Sequence, residues 1–190
     1  MGVTVTNLIQ GPGTLYKGAY SETGAAEPAN EAVNTTPQAS AWTDVGGTQD
    51  GVNLEIGREY SELEVDQIVD IPGRRLTKRE FTLTTNLAEP TLENLAMLNN
   101  DTAPTTGSGF KYHEPSFTGS ELQPTYIALI FDGYSPSGYR RRVIGRRMLS
   151  IDPITFAYKK DEQTVFSAKW AGHYVSSTLA PYKIVDQTSA

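Results

Sequence analysis

The chain of 190 residues has no cysteine and only two histidines. The missing cysteine excludes a disulfide framework, a thiol nucleophile and every cysteine metal site. The histidines, His113 and His173, are far apart and in no HExxH-like spacing, so packing or surface roles are expected of them. Long apolar runs are also lacking: no window approaches the roughly 18 residues that a membrane span needs. Met1 to Leu15 holds neither a positive n-region nor a continuous apolar stretch. That predicts synthesis in a cytosol and no exit by the ordinary secretory route, and it makes the sequons at Asn34 and Asn100 chance matches. There is no Walker A loop and no GxGxxG leading into a helix. The GYSPSG stretch at 133–138 has the wrong spacing for a nucleophile elbow. A basic excess is missing too. The formal net charge of −6 argues against a general polyanion binder. No enzyme activity, cofactor or metal is expected.

What is present is strand patterning. Residues 14–20 (TLYKGAY) predict a first strand, and 21–41, small and polar with neither periodicity, a long loop. A structureless loop of that length is usually functional or disordered; this one is expected to order only against a neighbouring copy. From Val52 apolar and polar residues alternate, and the parity reverses beyond Gly57, which suggests a bulge or a bend there. Ile71-Pro72-Gly73 predicts a turn, and Leu76 to Thr85 a returning strand with Phe81 and Leu83 on one face. The product is a long hairpin at about 52–85. Pro90 opens a helix predicted over 90–98, with Leu92, Leu95 and Ala96 as its apolar stripe, ended by Asn99-Asn100-Asp101. Further strands are predicted at 110–113, 125–132, 139–149, 154–160, 163–173 and 181–185, with turns at Asp132-Gly133 through 138 and at 160–162. No composition shift divides the chain, so 1–190 is expected to be one domain. Its class is mainly β (α+β), an antiparallel β-sandwich or barrel with one short flanking helix.

Two charged groups stand out. Glu55, Glu59, Glu62, Glu64, Asp66 and Asp70 form a linear acidic stripe rather than the facing pair that a glycosidase needs; a solvated strand face is the plain reading. Arg140, Arg141, Arg142, Arg146 and Arg147 could track phosphates. Only Tyr139 lies near them for stacking, which favours ion pairing at inter-subunit or inter-ring contacts, or a solvated edge.

Several stretches in order resemble the major tail tube protein of long-tailed, non-contractile bacteriophages. They are LYKGAYSETGAAEPA, then Ala41-Trp42-Thr43-Asp44-Val45-Gly46-Gly47, the strand from Asp50, the hairpin segment GREYSELEVDQ, and FTLTTNLAEPTLENLAML. The resemblance spans residues 14–98, and its most specific parts are the WT-x-VG stretch and the strand-to-LAEPTLENLA junction. It implies a virion structural protein, made in the host bacterial cytoplasm, that assembles with itself into hexameric rings. The rings would stack into a tube for genome ejection, with the hairpins of all copies joined in one inner barrel. If each copy of a hexamer gives four strands spaced about 4.8 Å apart, the circumference is roughly 115 Å and the radius about 18 Å, wider than duplex DNA. The implied partners are further copies, a tape-measure protein inside the tube, tail terminator proteins at its ends, and duplex DNA passing without specific binding; no membrane is implied. Alternation then places Glu55, Glu62, Glu64, Asp66, Lys78 and Glu80 on the DNA-channel lining, with Leu63, Val65, Phe81 and Leu83 turned away. Another virion β-protein, such as a head–tail connector, baseplate part or decoration protein, is the alternative.

Overall fold

The computed structural model describes residues 4–24, 26–116 and 124–189. Its strands are β1 (Thr14–Ala19), β2 (Trp42–Asp44), β3 (Thr48–Leu63), β4 (Gly73–Leu87), β5 (Thr105–Thr106), β6 (Lys111–Tyr112), β7 (Ile127–Tyr134), β8 (Arg140–Ser150), β9 (Phe166–Gly172) and β10 (Tyr182–Asp186). Eight of them form one antiparallel sheet in the order β2-β1-β7-β8-β9-β4-β3, with β10 added to β8. The mainly β class is therefore as expected.

The sheet branches at β8. The N-terminal half of β8 pairs with β10 (Gly145↔Tyr182 to Arg141↔Asp186), and its last residues pair with β9 (Met148↔Gly172 to Ser150↔Trp170). Between the two, the register against β7 shifts at Ile127/Leu129, so Gly145 and Met148 bracket a bulge. A bulge bends its strand. Leu15, Leu83, Leu87, Leu129, Val143, Met148, Phe166 and Trp170 from distant strands thereby share one buried cluster. On the other face of β7 and β8, Trp42, Ala128, Ile130 and Ile144 form a second, smaller cluster.

Among the described residues the single α-helix, α1, runs Leu92–Leu98. Its start differs from the expectation. Thr91 is the N-cap, its Oγ1 accepting from the Asn94 N–H at 3.2 Å, so Pro90 precedes the cap instead of opening the helix. The buried face is Asn94, Ala96, Met97 and Leu98, rotated from the expected Leu92/Leu95/Ala96 stripe. The reason is polar. Asn94 Nδ2 donates to Val45 O at 3.0 Å and Glu89 O at 2.9 Å, and this pulls its side of the helix inward.

Two strand boundaries also need correction. Residues 154–160 are not a strand. Beyond β8 the chain meets Pro153, which cannot donate to a ladder, and the segment instead closes locally through Thr164 Oγ1 to Ala157 O at 3.0 Å and the Lys159–Glu162 ion pair. Asp132 and Gly133 lie within β7, and the turn falls at Ser135–Tyr139, where Ser135 N–H donates to Tyr139 O at 2.8 Å.

Candidate assembly surface

The β3–β4 hairpin is the longest element, and half of it has nothing packed on it. Its base is held by β9, which pairs with Thr82 to Leu87. Beyond that point β4 has no further strand neighbour, and β3 lies at the end of the sheet along its whole length. From Arg58 to Arg79 every residue is exposed except half-buried Gly73. The exposed side chains include Tyr60, Leu63, Val65, Ile68, Val69, Ile71 and Leu76.

The register decides which side chains share a face. Partners opposite each other in an antiparallel pair project on the same side. Two irregularities occur. Asp50 and Gly51, both at positive φ (64° and 77°), are looped out between Gln49↔Asn86 and Val52↔Thr85. Then Glu59 pairs with Lys78 and Tyr60 with Leu76, so the extra residue is Thr77 on β4, whose Oγ1 donates to Glu59 O at 3.1 Å. The bulge expected at Gly57 of β3 is therefore on the other strand. β3 alternates without interruption from Val52 to Leu63.

One face consequently carries Val52, Leu54, Ile56, Arg58, Tyr60 and Glu62, opposite Thr85, Leu83, Phe81, Arg79, Leu76 and Arg74. At the base this face continues into the core, where Phe81 and Leu83 are buried. The second face carries Asn53, Glu55, Gly57, Glu59, Ser61 and Leu63, opposite Thr84, Thr82, Glu80, Lys78, Arg75 and Gly73. It is polar except for Leu63.

The expected channel set is thus divided. Glu55, Lys78 and Glu80 do share the polar face, and Glu59 joins them. Lys78 Nζ lies 3.3 Å from Glu59 and 3.1 Å from Glu80, and both carboxylates raise its pKa. Glu62 is on the opposite face, where it pairs with Arg74 at 2.7 Å. Glu64 and Asp66 are not on a strand: β3 ends at Leu63, and the chain turns where Ile68 N–H donates to Val65 O at 3.0 Å, ahead of the expected turn at 71–73. Leu63 falls on the polar face, not with Phe81 and Leu83. The parity change inferred for β3 put these residues on the wrong side.

The arginine cluster is also corrected. Arg142 is buried, and its guanidinium meets Asp132 twice at 2.6 Å and donates to Ala32 O and Thr35 O. Arg146 is buried against Glu27 at 2.5 Å and also donates to Ala180 O at 2.7 Å. Both hold the loop 21–41 to its own chain. Trp42 Nε1 also donates to Ala26 O at 2.8 Å and Val33 is buried, so the described residues of the loop, expected to order only against a neighbouring copy, are packed on their own chain. Arg141 forms a two-pronged pair with Asp186 on β10, which lowers the Asp186 pKa and raises that of Arg141. Arg147 lies over Tyr126 at 4.1 Å and Arg140 over Tyr134 at 4.7 Å. Alternation sends Arg142 and Arg146 inward toward the loop, and nothing in a run of arginines signals that. Glu27, the partner of Arg146 in the loop, gave no signal of its own.

The WTDVGG and LAEPTLENLA stretches touch. Besides Asn94 to Val45, Gly47 N–H donates to Glu89 Oε1 at 2.9 Å. Gly46 has a φ of +96°, and a Cβ there would stand 2.6 Å from the Glu89 carboxyl. Only glycine fits that turn.

Among the described residues no group of histidine, aspartate and glutamate could hold a metal ion. His173 packs edge-on against Tyr126, and His113 Nε2 lies 3.3 Å from Asn99 Nδ2. No described helix is long and apolar enough to cross a membrane. No known family model matches the chain, and no curated protein matches it.

Proposed function

We propose that this protein is a non-enzymatic structural subunit of a phage tail tube, in which hexameric rings stack into a hollow conduit for the viral DNA. The observation that carries the reading is the hairpin. A two-stranded ribbon in water is marginal at best, and an exposed apolar edge strand is a template for pairing. Here both outer edges of the distal hairpin are unpaired, Tyr60 and Leu76 stand exposed among charged side chains on the face that continues into the core, and the tip holds Val65, Ile68, Val69 and Ile71. A neighbouring copy covers the edges and that face at once. The face with Glu55, Glu59, Lys78 and Glu80 is then left for the channel.

That lining is only weakly acidic. Arg75 and Lys78 offset most of Glu55, Glu59 and Glu80 on the same face. A lining without a cationic surplus does not trade counterions with DNA phosphates, so the duplex slides without docking. Negative-stain electron microscopy of the purified chain tests the proposal. Rings or tubes of uniform bore support it; isolated monomers or caps on heads would point to another virion β-protein.

A further inference from the structure

The face of the distal hairpin that continues into the core has one feature that its own chain does not satisfy. Arg58 and Arg79 are directly opposite each other across the β3–β4 ladder, and both are exposed. Like charges at directly opposed positions repel. Every neighbouring basic group on the two strands except Arg75 has an answer: Arg74 has Glu62, and Lys78 has Glu59 and Glu80. Among the described residues no carboxylate reaches Arg58 or Arg79. The only partner of either is the Tyr182 ring, 5.9 Å from the Arg79 guanidinium. Tyr182 itself stacks on Phe81 at 4.9 Å. The two guanidinium groups are thus flanked by Ile56 and Phe81 toward the core, and by Tyr60 and Leu76 toward the tip.

We infer that Arg58 and Arg79 form a carboxylate clamp for a second copy of this chain, a step that rests on the assembly reading in requiring that copy. Two planar guanidinium groups on adjacent strands suit a carboxylate bridging both, since each can donate in parallel. Ile56, Tyr60 and Leu76 are exposed in the lone chain, and a second copy laid over them would exclude water there and strengthen the pairing. Charge complementarity selects the occupant. The chain carries 22 acidic against 16 basic residues, so its surface has carboxylates in surplus. The like-charge opposition is relieved only when an acidic group arrives, so the clamp favours the assembled state over the lone chain. DNA is the poorer occupant because this face continues into the core and lies opposite the polar one.

The test compares the full chain with R58Q/R79Q by sedimentation velocity over a concentration series at low and high salt, with micrographs of each. The expected result is association of the wild type that weakens with salt. The variant should need about tenfold more protein to associate and should have lost most of that salt dependence. Its melting temperature when dilute should be unchanged or slightly higher, which shows that folding is intact. The inference is overturned if R58Q/R79Q associates like the wild type; tubes formed by that variant would leave the tube reading standing. It is also overturned if the wild type stays monomeric throughout, or if the substitution abolishes binding of a DNA duplex and spares self-association. Salt-sensitive association through these arginines without rings or tubes would uphold the clamp and sink the tube.

Discussion

Arg146 on β8 and Glu27 in the loop 21–41 form a buried ion pair at 2.5 Å, 119 residues apart in sequence. The pair ties a segment without secondary-structure periodicity to the middle of the sheet. Lys183 of β10 approaches the same carboxylate at 3.7 Å. A buried pair adds little net stability relative to an apolar substitute, because both charges are desolvated. Breaking it is different, since one charge is left uncompensated.

Glu27→Ala should therefore destabilise the fold by roughly 3 kcal/mol, and Arg146→Met by a similar amount. The double variant Glu27→Leu/Arg146→Met should recover much of the loss. Thermal unfolding of the four proteins checks this, and equal losses in single and double variants would refute it. Deleting residues 24–38 should likewise destabilise the chain, because it removes Glu27 from Arg146 and the Ala32 and Thr35 carbonyls from Arg142.

Asn94 links helix α1 to the turn after β2, with both of its amide hydrogen bonds going to backbone carbonyls. Asn94→Leu keeps the volume and orphans Val45 O and Glu89 O. A loss of about 2 kcal/mol is expected in urea unfolding. No loss would mean that water replaces both bonds.

Asp101 accepts from the Ser116 hydroxyl and N–H and from the Thr102 N–H, which hold its pKa at about 2 instead of the ordinary 3.8. A depressed folded-state pKa contributes stability that is fully present above 3.8 and is lost as pH falls through about 2. Asp101→Asn should thus be the less stable protein at neutral pH, and the gap should close between pH 4 and 2. The denaturation midpoint of each protein against pH measures it; a gap independent of pH would sink the assignment.

Val69 is fully exposed at the hairpin tip, and Ile68 beside it is 52% exposed. Ile68→Asp/Val69→Asp touches no buried residue, so stability should change by less than about 0.5 kcal/mol. Assembly into rings or tubes should fail. Normal tubes seen by microscopy would show that the tip is not an interface.

The channel prediction now concerns Glu55, Glu59 and Glu80. Replacing Glu55 and Glu80 with lysine turns the weakly acidic face basic, which should leave tubes intact and slow DNA release from phage carrying the change. Ejection at the normal rate would remove this face from the channel.

Much of the secondary structure was legible in the residues. Period-two alternation marked β3 and β4 near their observed places, and β7, β8, β9 and β10 also fell near the strands expected of them. Phe81 and Leu83 were readable as core for the same reason. The failures came where a choice depends on a partner distant in sequence. A bulge on β3 or on β4 gives much the same local pattern, and only the ladder puts the extra residue at Thr77. That one placement puts Glu62 and Leu63 on the faces opposite those expected and takes Glu62 off the channel face. The arginines of β8 were legible as a cluster but not as buried, because burial of Arg142 and Arg146 requires Asp132, Glu27 and the carbonyls of Ala32, Thr35 and Ala180, which the chain brings in from elsewhere. The sequence by itself determined the strand-rich class and the existence of the long hairpin, since local alternation and turn chemistry suffice for both. Tertiary structure alone decided which face of that hairpin carries Arg58 and Arg79 and which carries Glu55, because the register is set by hydrogen bonds between strands and not by either strand alone.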